Sequence, residues 1–221
     1  MNPKSDRNPL FALNAGILVL AVCACALWGC SGSGTAERPL SPLPQDPVLQ
    51  ERAAKDKAFK SGQESPLPDR ERANFQGLSY YPINPALKFR VRLNRYASPE
   101  KIRLGTNTGE IRSGLRYGYF DFRVEGRDCR LNAYKLEDAP DLGASLFIPF
   151  RDATSGKETY GGGRYIDLQE NTSGVYDLDF NRAYNPFCAY NTDFSCPLPP
   201  GENTLEVPIR AGEKKFAKTA G

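Results

Sequence analysis

The sequence predicts a mainly β fold: an antiparallel sandwich or barrel of about eight or nine short strands, preceded by short helices. Three observations carry that prediction. Four segments after residue 86 alternate apolar and polar side chains with a period of two, the pattern of a strand with one buried face. Glycine, proline, asparagine and aspartate separate the segments at short intervals. Beyond the apolar N-terminus, helical patterning is confined to the stretch before Gly77, and no repeat of fixed period occurs.

The chain opens with Lys4 and Arg7 and then runs apolar from Leu10 to Gly29, broken by Asn14. A basic start and an apolar run are the layout of an export signal. A run of about twenty residues is also long enough to span a bilayer if it is retained. "LWGC", Leu27 to Cys30, resembles a bacterial lipobox, with leucine three before the cysteine and glycine just before it. That resemblance implies cleavage before Cys30 and lipidation of its thiol, ahead of an uncleaved anchor helix or simple secretion. Ser31 after the cysteine resembles the outer-membrane sorting pattern, where the source has two membranes. Residues 1–29 are thus expected to be a lipoprotein signal peptide, and residues 30–47, rich in Gly, Ser and Pro, a flexible tether. The expected address is the bacterial cell envelope, with the membrane as partner through lipid on Cys30.

Asp46 and Pro47 read as N-cap and first helical residue of "VLQERAAKDKAFKSG". Leu49, Ala53 and Phe59 give it a thin apolar stripe, and Gly62 stops it. "SPLPDRERANFQGL" suggests a second short helix closed by Gly77. The period then changes. "LKFRVRL" sets Leu87, Phe89, Val91 and Leu93 opposite Lys88, Arg90 and Arg92. "GYFDFRVEG" groups Phe120, Phe122 and Val124, and "GVYDLDFN" groups Tyr176, Leu178 and Phe180. "LEVPIR" aligns Leu205, Val207 and Ile209, with Pro208 marking an edge strand. Weaker runs lie at Leu78–Ile83, Ile102–Leu104, Cys129–Leu136, Ser145–Phe150 and Tyr165–Leu168. The tail "AGEKKFAKTAG" carries no alternation and reads as partly disordered, with 217–221 outside the domain.

Removing the signal leaves 192 residues (221 − 29), enough for one domain with its own core, here residues 48–216. A formal charge of +3 offers no basic patch for nucleic acid. The chain has no histidine. That excludes Ser-His-Asp and Cys-His catalysis and argues against a catalytic zinc site, since imidazole is the usual ligand. Of six cysteines, Cys23 and Cys25 fall in the signal and Cys30 takes the lipid. Cys188 and Cys196 bracket "CAYNTDFSC" and should pair in an oxidising compartment, leaving Cys129 as a buried free thiol. Pairing of Cys129 with either partner stays open on sequence alone.

Two segments stand out: "FIPFRDATSGKETYGGGRYIDL" from Phe147 to Leu168, and "DFNRAYNPFCAYN" from Asp179 to Asn191. With "SPLPDRERANFQGLSYYP" and "CPLPPGEN" they resemble a family of bacterial exported proteins defined only as domain of unknown function 1684. The resemblance runs from about Val48 to Phe216. It implies that the two segments belong to one recurring domain and implies no activity. Read from the residues, Gly161, Gly162 and Gly163 suit a hairpin turn, or a ligand-contacting loop. Asp177, Asp179 and Asn181 begin like a calcium loop, but Arg182 replaces the required glycine and Cys188 the bidentate glutamate, so no metal is expected. Asn185-Pro186 favours a turn, and Tyr184, Phe187 and Tyr190 suit a core-closing corner or the lining of a site.

If there is a site, Arg151, Arg164 and Arg182 suit carboxylate or phosphate recognition, and Tyr160, Tyr165, Tyr184 and Tyr190 suit sugars or amphipathic ligands. Asp152 and Asp179 can fix ligand hydroxyls, with Asn181 and Asn185 beside them. Asp152, Arg164, Asp179 and Tyr184 are expected to border one concavity, with the strands carrying Tyr165 and Asp179 as neighbours. The function expected is a non-catalytic binding or structural module for a glycan or a small anionic or amphipathic ligand, without a cofactor. The alternative is a histidine-free, glycosidase-like hydrolase that uses Asp152 and Asp179 as acid and base.

Overall fold

The structure, a computed structural model, describes residues 46–137 and 145–217. The expected signal peptide, Cys30, nearly all of the tether and residues 218–221 lie outside them. Helix α1 spans Pro47–Ser61. Asp46 caps it, its carboxylate accepting from the Val48 N–H at 2.8 Å, and Pro47 fills a first-turn position that needs no N–H. Its buried residues are Val48 and Phe59, whereas Leu49 is half exposed. The packed face therefore runs Val48, Arg52, Lys55, Phe59, at helical spacing, and not along Leu49 and Ala53. Helix α2, Asp69–Asn74, ends before Gly77, and Phe75 turns inward instead. Phe75, Phe59 and Leu67 bury themselves against Ala189 and Tyr190, which fixes both helices on the 187–190 corner.

Seven strands follow among the described residues: β1 (Lys88–Arg92), β2 (Asn94–Gly105), β3 (Ile111–Val124), β4 (Arg127–Leu136), β5 (Ser145–Phe150), β6 (Arg164–Gln169) and β7 (Val175–Asp179). Strands β2 to β6 form an antiparallel sheet in sequence order, and β1 pairs antiparallel with β7, Phe89 opposite Leu178. The fold is antiparallel and mainly β, as predicted, and neither sheet closes into a barrel. The strand carrying Tyr165 pairs with β5, so β6 and β7 are not ladder neighbours; β6 instead bridges Tyr184 beyond β7.

The main core lies on one face of the larger sheet. Phe120, Leu131, Leu146, Ile148 and Phe150 pack there against Tyr176, Leu178, Phe180 and the extended segment from Leu205 to Ala211. Each such side chain contributes roughly 1.5–3 kcal/mol on leaving water. Leu205, Val207 and Ile209 are buried as their alternation predicts, but the segment is no ladder strand. It runs beside the loop after β5, Leu205 N–H donating to Arg151 O at 2.8 Å and Ala153 N–H to Val207 O at 3.2 Å. On the opposite face, Leu104, Tyr134, Phe147 and Tyr165 form a second cluster. The proline-rich 196–203 segment is tied to it, with the Tyr165 hydroxyl donating to Pro197 O and the Tyr134 hydroxyl to Glu202 at 3.1 Å. The 78–83 run is likewise no strand; Tyr80 forms an isolated bridge with Glu213. That bridge draws Glu213 inward from the part of the tail read as featureless.

Candidate functional site

The two sequence motifs meet, but inside the fold. Tyr165 and Tyr184 exchange backbone hydrogen bonds at 2.9 and 3.0 Å. Arg164 is completely buried and donates to Asp152 Oδ2 at 2.8 Å, Ile209 O at 2.8 Å, Glu213 O at 3.2 Å and Ala211 O. The other Asp152 oxygen accepts from Thr154 Oγ1 at 2.6 Å, Thr154 N–H at 2.9 Å and Ile209 N–H at 3.1 Å. This ion pair is a buried cross-brace between the β5–β6 loop and the last extended segment. Neither group has a tip facing a concavity: both Asp152 oxygens and both terminal Arg164 nitrogens are hydrogen-bonded inside the fold, while the Arg164 Nε is buried without a partner.

The remaining motif residues divide in the same way. Arg151 donates to Pro199 O at 3.0 Å and lies against Gly161 O. Gly163, at φ +95°, lets the loop pass under Pro199; a Cβ there would sit 2.5 Å from the proline ring. Asp179 caps a short 3-10 turn, accepting from Asn181 N–H at 3.0 Å, while Asn181 fastens the Asn84 backbone. Asn185 holds Lys214 O at 2.8 Å. The Tyr184 hydroxyl donates to Asp167, whose carboxyl burial pushes above the ordinary carboxylate value. Tyr160 places its hydroxyl 3.6 Å from the Cys188 sulfur. The expected Cys188–Cys196 bridge is not formed: both are free thiols, adjacent, with the Cys188 N–H donating to Cys196 Sγ at 3.3 Å. Cys129 is also a free thiol, but it is only partly buried, not buried as expected.

A cleft of about 390 Å³ does exist, between α1 and the 181–187 corner. Val48, Phe59 and Phe187 give it apolar walls, and Arg52, Lys55, Tyr80, Tyr184 and Glu213 give it polar ones. Of the residues singled out in the motifs, only Asn181, Arg182, Tyr184 and Phe187 reach it. A second depression, lined by Gly62 to Pro66, shares Phe59 and Phe187 with it, so the groove continues along α1.

The charges in the cleft are not equivalent. Glu213, almost wholly buried, pairs with the Lys55 ammonium and also accepts from Tyr190 and from the Asn185 N–H. Lys55 sits among the rings of Phe59, Tyr184 and Tyr190, its ammonium 5.0 Å from the Tyr184 centroid. Arg182 pairs with Glu51 at 3.0 Å. Arg52 has no carboxylate in ion-pair contact among the described residues. It donates to the carbonyls of Tyr81 and Asn181 at 2.9 and 3.1 Å and lies 4.5 Å from the Tyr80 ring centre. Its Nε and the Tyr80 hydroxyl are buried without a partner. Desolvation lowers the Arg52 pKa and, together with nearby Glu213, keeps the Tyr80 phenol protonated. Arg52 thus brings to the cleft a positive charge that Glu213, Asp46 and Asp179 offset only through space, without a contact ion pair among the described residues, and two donors there are unused.

Sequence reasoning missed Val48, Arg52 and Lys55, and read Phe59 only as part of an apolar stripe, although their spacing of four, three and four is a helix face. Half of that face is charged, so an apolar stripe does not reveal it. Glu213 had no local signal at all.

The family described as Protein of unknown function (DUF1684) matches residues 73–214. Among solved structures, the chain is similar to the solution NMR structure of an uncharacterized protein of Haloarcula marismortui. The two share 36% identity and a TM-score of 0.59, over 76% of this chain and 91% of that one. No curated protein matches the chain. The family match covers Tyr80, the 181–187 corner and Glu213, whereas the α1 wall of the cleft precedes it.

Proposed function

The chain belongs to the DUF1684 family, and from that premise we propose that it is a lipid-anchored envelope protein that binds a small amphipathic anion. The ligand class is a monocarboxylate with an apolar tail, taken up in the α1 cleft without chemical change. The observation that carries this reading is Arg52, held by backbone carbonyls with no carboxylate in contact, at a cleft where Lys55–Glu213 and Arg182–Glu51 are paired with each other and Val48, Phe59 and Phe187 supply apolar walls. A carboxylate placed there would sit against the Arg52 charge and, after a shift of the side chains that now bury them, would accept from the unused Arg52 Nε and Tyr80 donors, while its tail lies on the apolar walls. A glycan would find few free hydroxyl partners, since Tyr160, Tyr165 and Tyr184 are already engaged. A hydrolase built on Asp152 and Asp179 finds no support, because both Asp152 oxygens are occupied by structural bonds.

The address rests on the sequence before Asp46. Pro47 follows Cys30 by 17 residues (47 − 30), a reach of at most roughly 60 Å, which allows the cleft to sample the membrane surface where amphipathic anions concentrate. Among the described residues no helix is long and apolar enough to cross a membrane.

Calorimetric titration of the full chain with octanoate, octyl glucoside and octylammonium tests the ligand class. Octanoate should bind, and Arg52→Gln should weaken it at least about tenfold, or about 1.4 kcal/mol. Equal binding of octyl glucoside, or no effect of Arg52→Gln, would overturn the reading.

A further inference from the structure

Beneath Phe187 the two cysteines of the corner lie side by side, both nearly inaccessible. Cys188 belongs to the 3-10 turn Phe187–Ala189 that forms one wall of the cleft. Cys196 belongs to a different support. Its N–H donates to the Asn107 side chain at 2.7 Å, its carbonyl accepts from the Asn107 N–H at 3.2 Å, and Leu198 N–H donates to Gly105 O at 2.8 Å. Cys196 is therefore fixed to the end of β2. Between the two supports runs the Asn191–Ser195 segment, whose Phe194 ring packs edge-on against Phe187 at 5.2 Å. Phe187 itself is 41% exposed, its ring resting edge-on against Phe59 and Phe194.

We propose that Cys188 and Cys196 are a reversible redox pair, and that their oxidation to an intramolecular disulfide pins the Phe187 wall of the cleft to the sheet. The reagent is a disulfide. Cys188 thiolate attacks one sulfur of that disulfide, forming a mixed disulfide and releasing one thiolate. Cys196 thiolate then attacks the Cys188 sulfur, closing the ring and releasing the second thiolate. Two protein thiols lose two electrons and two protons, and the reagent disulfide becomes two thiols. The assignment of roles follows from the surroundings. The hydrogen bond from Cys196 brings Cys188 down to about 7, with the Tyr160 hydroxyl as a further donor, and the proton stays on Cys196, which is raised. Cys129 lies apart on β4, its thiol near its own strand neighbour Arg127.

The test uses the full chain, reduced with dithiothreitol and then equilibrated across a series of reduced and oxidised glutathione. None of the readouts involves a ligand, so the outcome is separate from that of the binding proposal. Mass spectrometry without reduction should show the Cys188 and Cys196 peptides joined and lighter by two hydrogens, with Cys129 still open to alkylation. Hydrogen exchange of the Tyr190 and Asn191 amides, which close the turn onto Phe187 O, should slow about tenfold on oxidation. The melting temperature should rise by about 5 °C. Cys196→Ser should stop at a glutathione adduct on Cys188, without slowed exchange. Should that variant not fold, Cys129→Ser, which leaves the pair intact, must still close the bridge and slow exchange. A pair that stays alkylatable in excess oxidised glutathione, a bridge through Cys129, or a bridge that leaves exchange unchanged overturns the proposal.

Discussion

Replacing Arg164 should cost the domain a large part of its stability, because the arginine braces the core and does not face a ligand. Arg164→Met keeps an apolar stem but removes the guanidinium, which lies 5.2 Å from the Phe150 ring centre, and so strands the Asp152 carboxylate and the carbonyls of Ile209, Ala211 and Glu213. Removing one partner of a buried pair costs about 3–5 kcal/mol. Orphaned carbonyls add about 1 kcal/mol or more each, in part already counted in that figure. A total of about 4–6 kcal/mol compares with a typical whole-domain stability of about 5–15 kcal/mol. Urea unfolding followed by far-ultraviolet circular dichroism reads this as a fall in midpoint of about 2–3 M at an unchanged slope of about 2 kcal/mol/M. Asp152→Asn should cost about 3–5 kcal/mol, since it turns a neutral amide toward the guanidinium. The double variant should cost clearly less than the sum, because each single change already breaks the same pair. A loss under about 1 kcal/mol for Arg164→Met, or strict additivity, would refute the brace.

Three further substitutions probe burial and backbone geometry. Burial raises the Asp167 pKa above its unfolded value of 3.8, with the Tyr184 hydroxyl opposing; the folded state then holds the proton more tightly, so stability falls as pH rises through that window. Asp167→Asn should therefore gain on the native protein in urea midpoint as pH climbs from about 4 toward neutrality, and a difference flat with pH would contradict this. Gly212, at φ +74°, would place an alanine Cβ 2.4 Å from Ala183 O, so Gly212→Ala should cost more than about 2 kcal/mol. Gly109→Ala, at φ +87° but in open space, should cost about 1 kcal/mol; equal losses at the two sites would refute the steric account.

Periodicity made the sheets legible where one face is buried and the other wet. "LKFRVRL", "GYFDFRVEG" and "GVYDLDFN" place their apolar residues as read, and Asp46-Pro47 opens α1 where capping chemistry demands. Burial within "LEVPIR" was also legible, but its hydrogen bonding was not: alternation reports which side chains are covered, not which backbone lies alongside. The polar motifs misled for a physical reason. Arg, Asp and Asn near turns serve ligands or fasten irregular backbone with equal chemistry, and here Asp152, Arg164 and Asn203 do the second. Asn203, fully buried, bonds Asn132 and Pro149 O. The cleft was illegible because it joins residues about 160 positions apart, Arg52 and Glu213 among them, through a bridge with no local pattern.

The proposed ligand site is the α1 cleft, whereas the "RDATSGKETYGGGRY" motif fastens the fold. An amide nuclear magnetic resonance titration of the full chain with octanoate tests that division directly. It should give saturable shifts at Val48 to Phe59, Tyr80, Asn181 to Phe187 and Glu213, with Thr154, Arg164 and Asn203 unmoved. Shifts centred on Asp152 to Arg164, or none that saturate at the cleft, would contradict it.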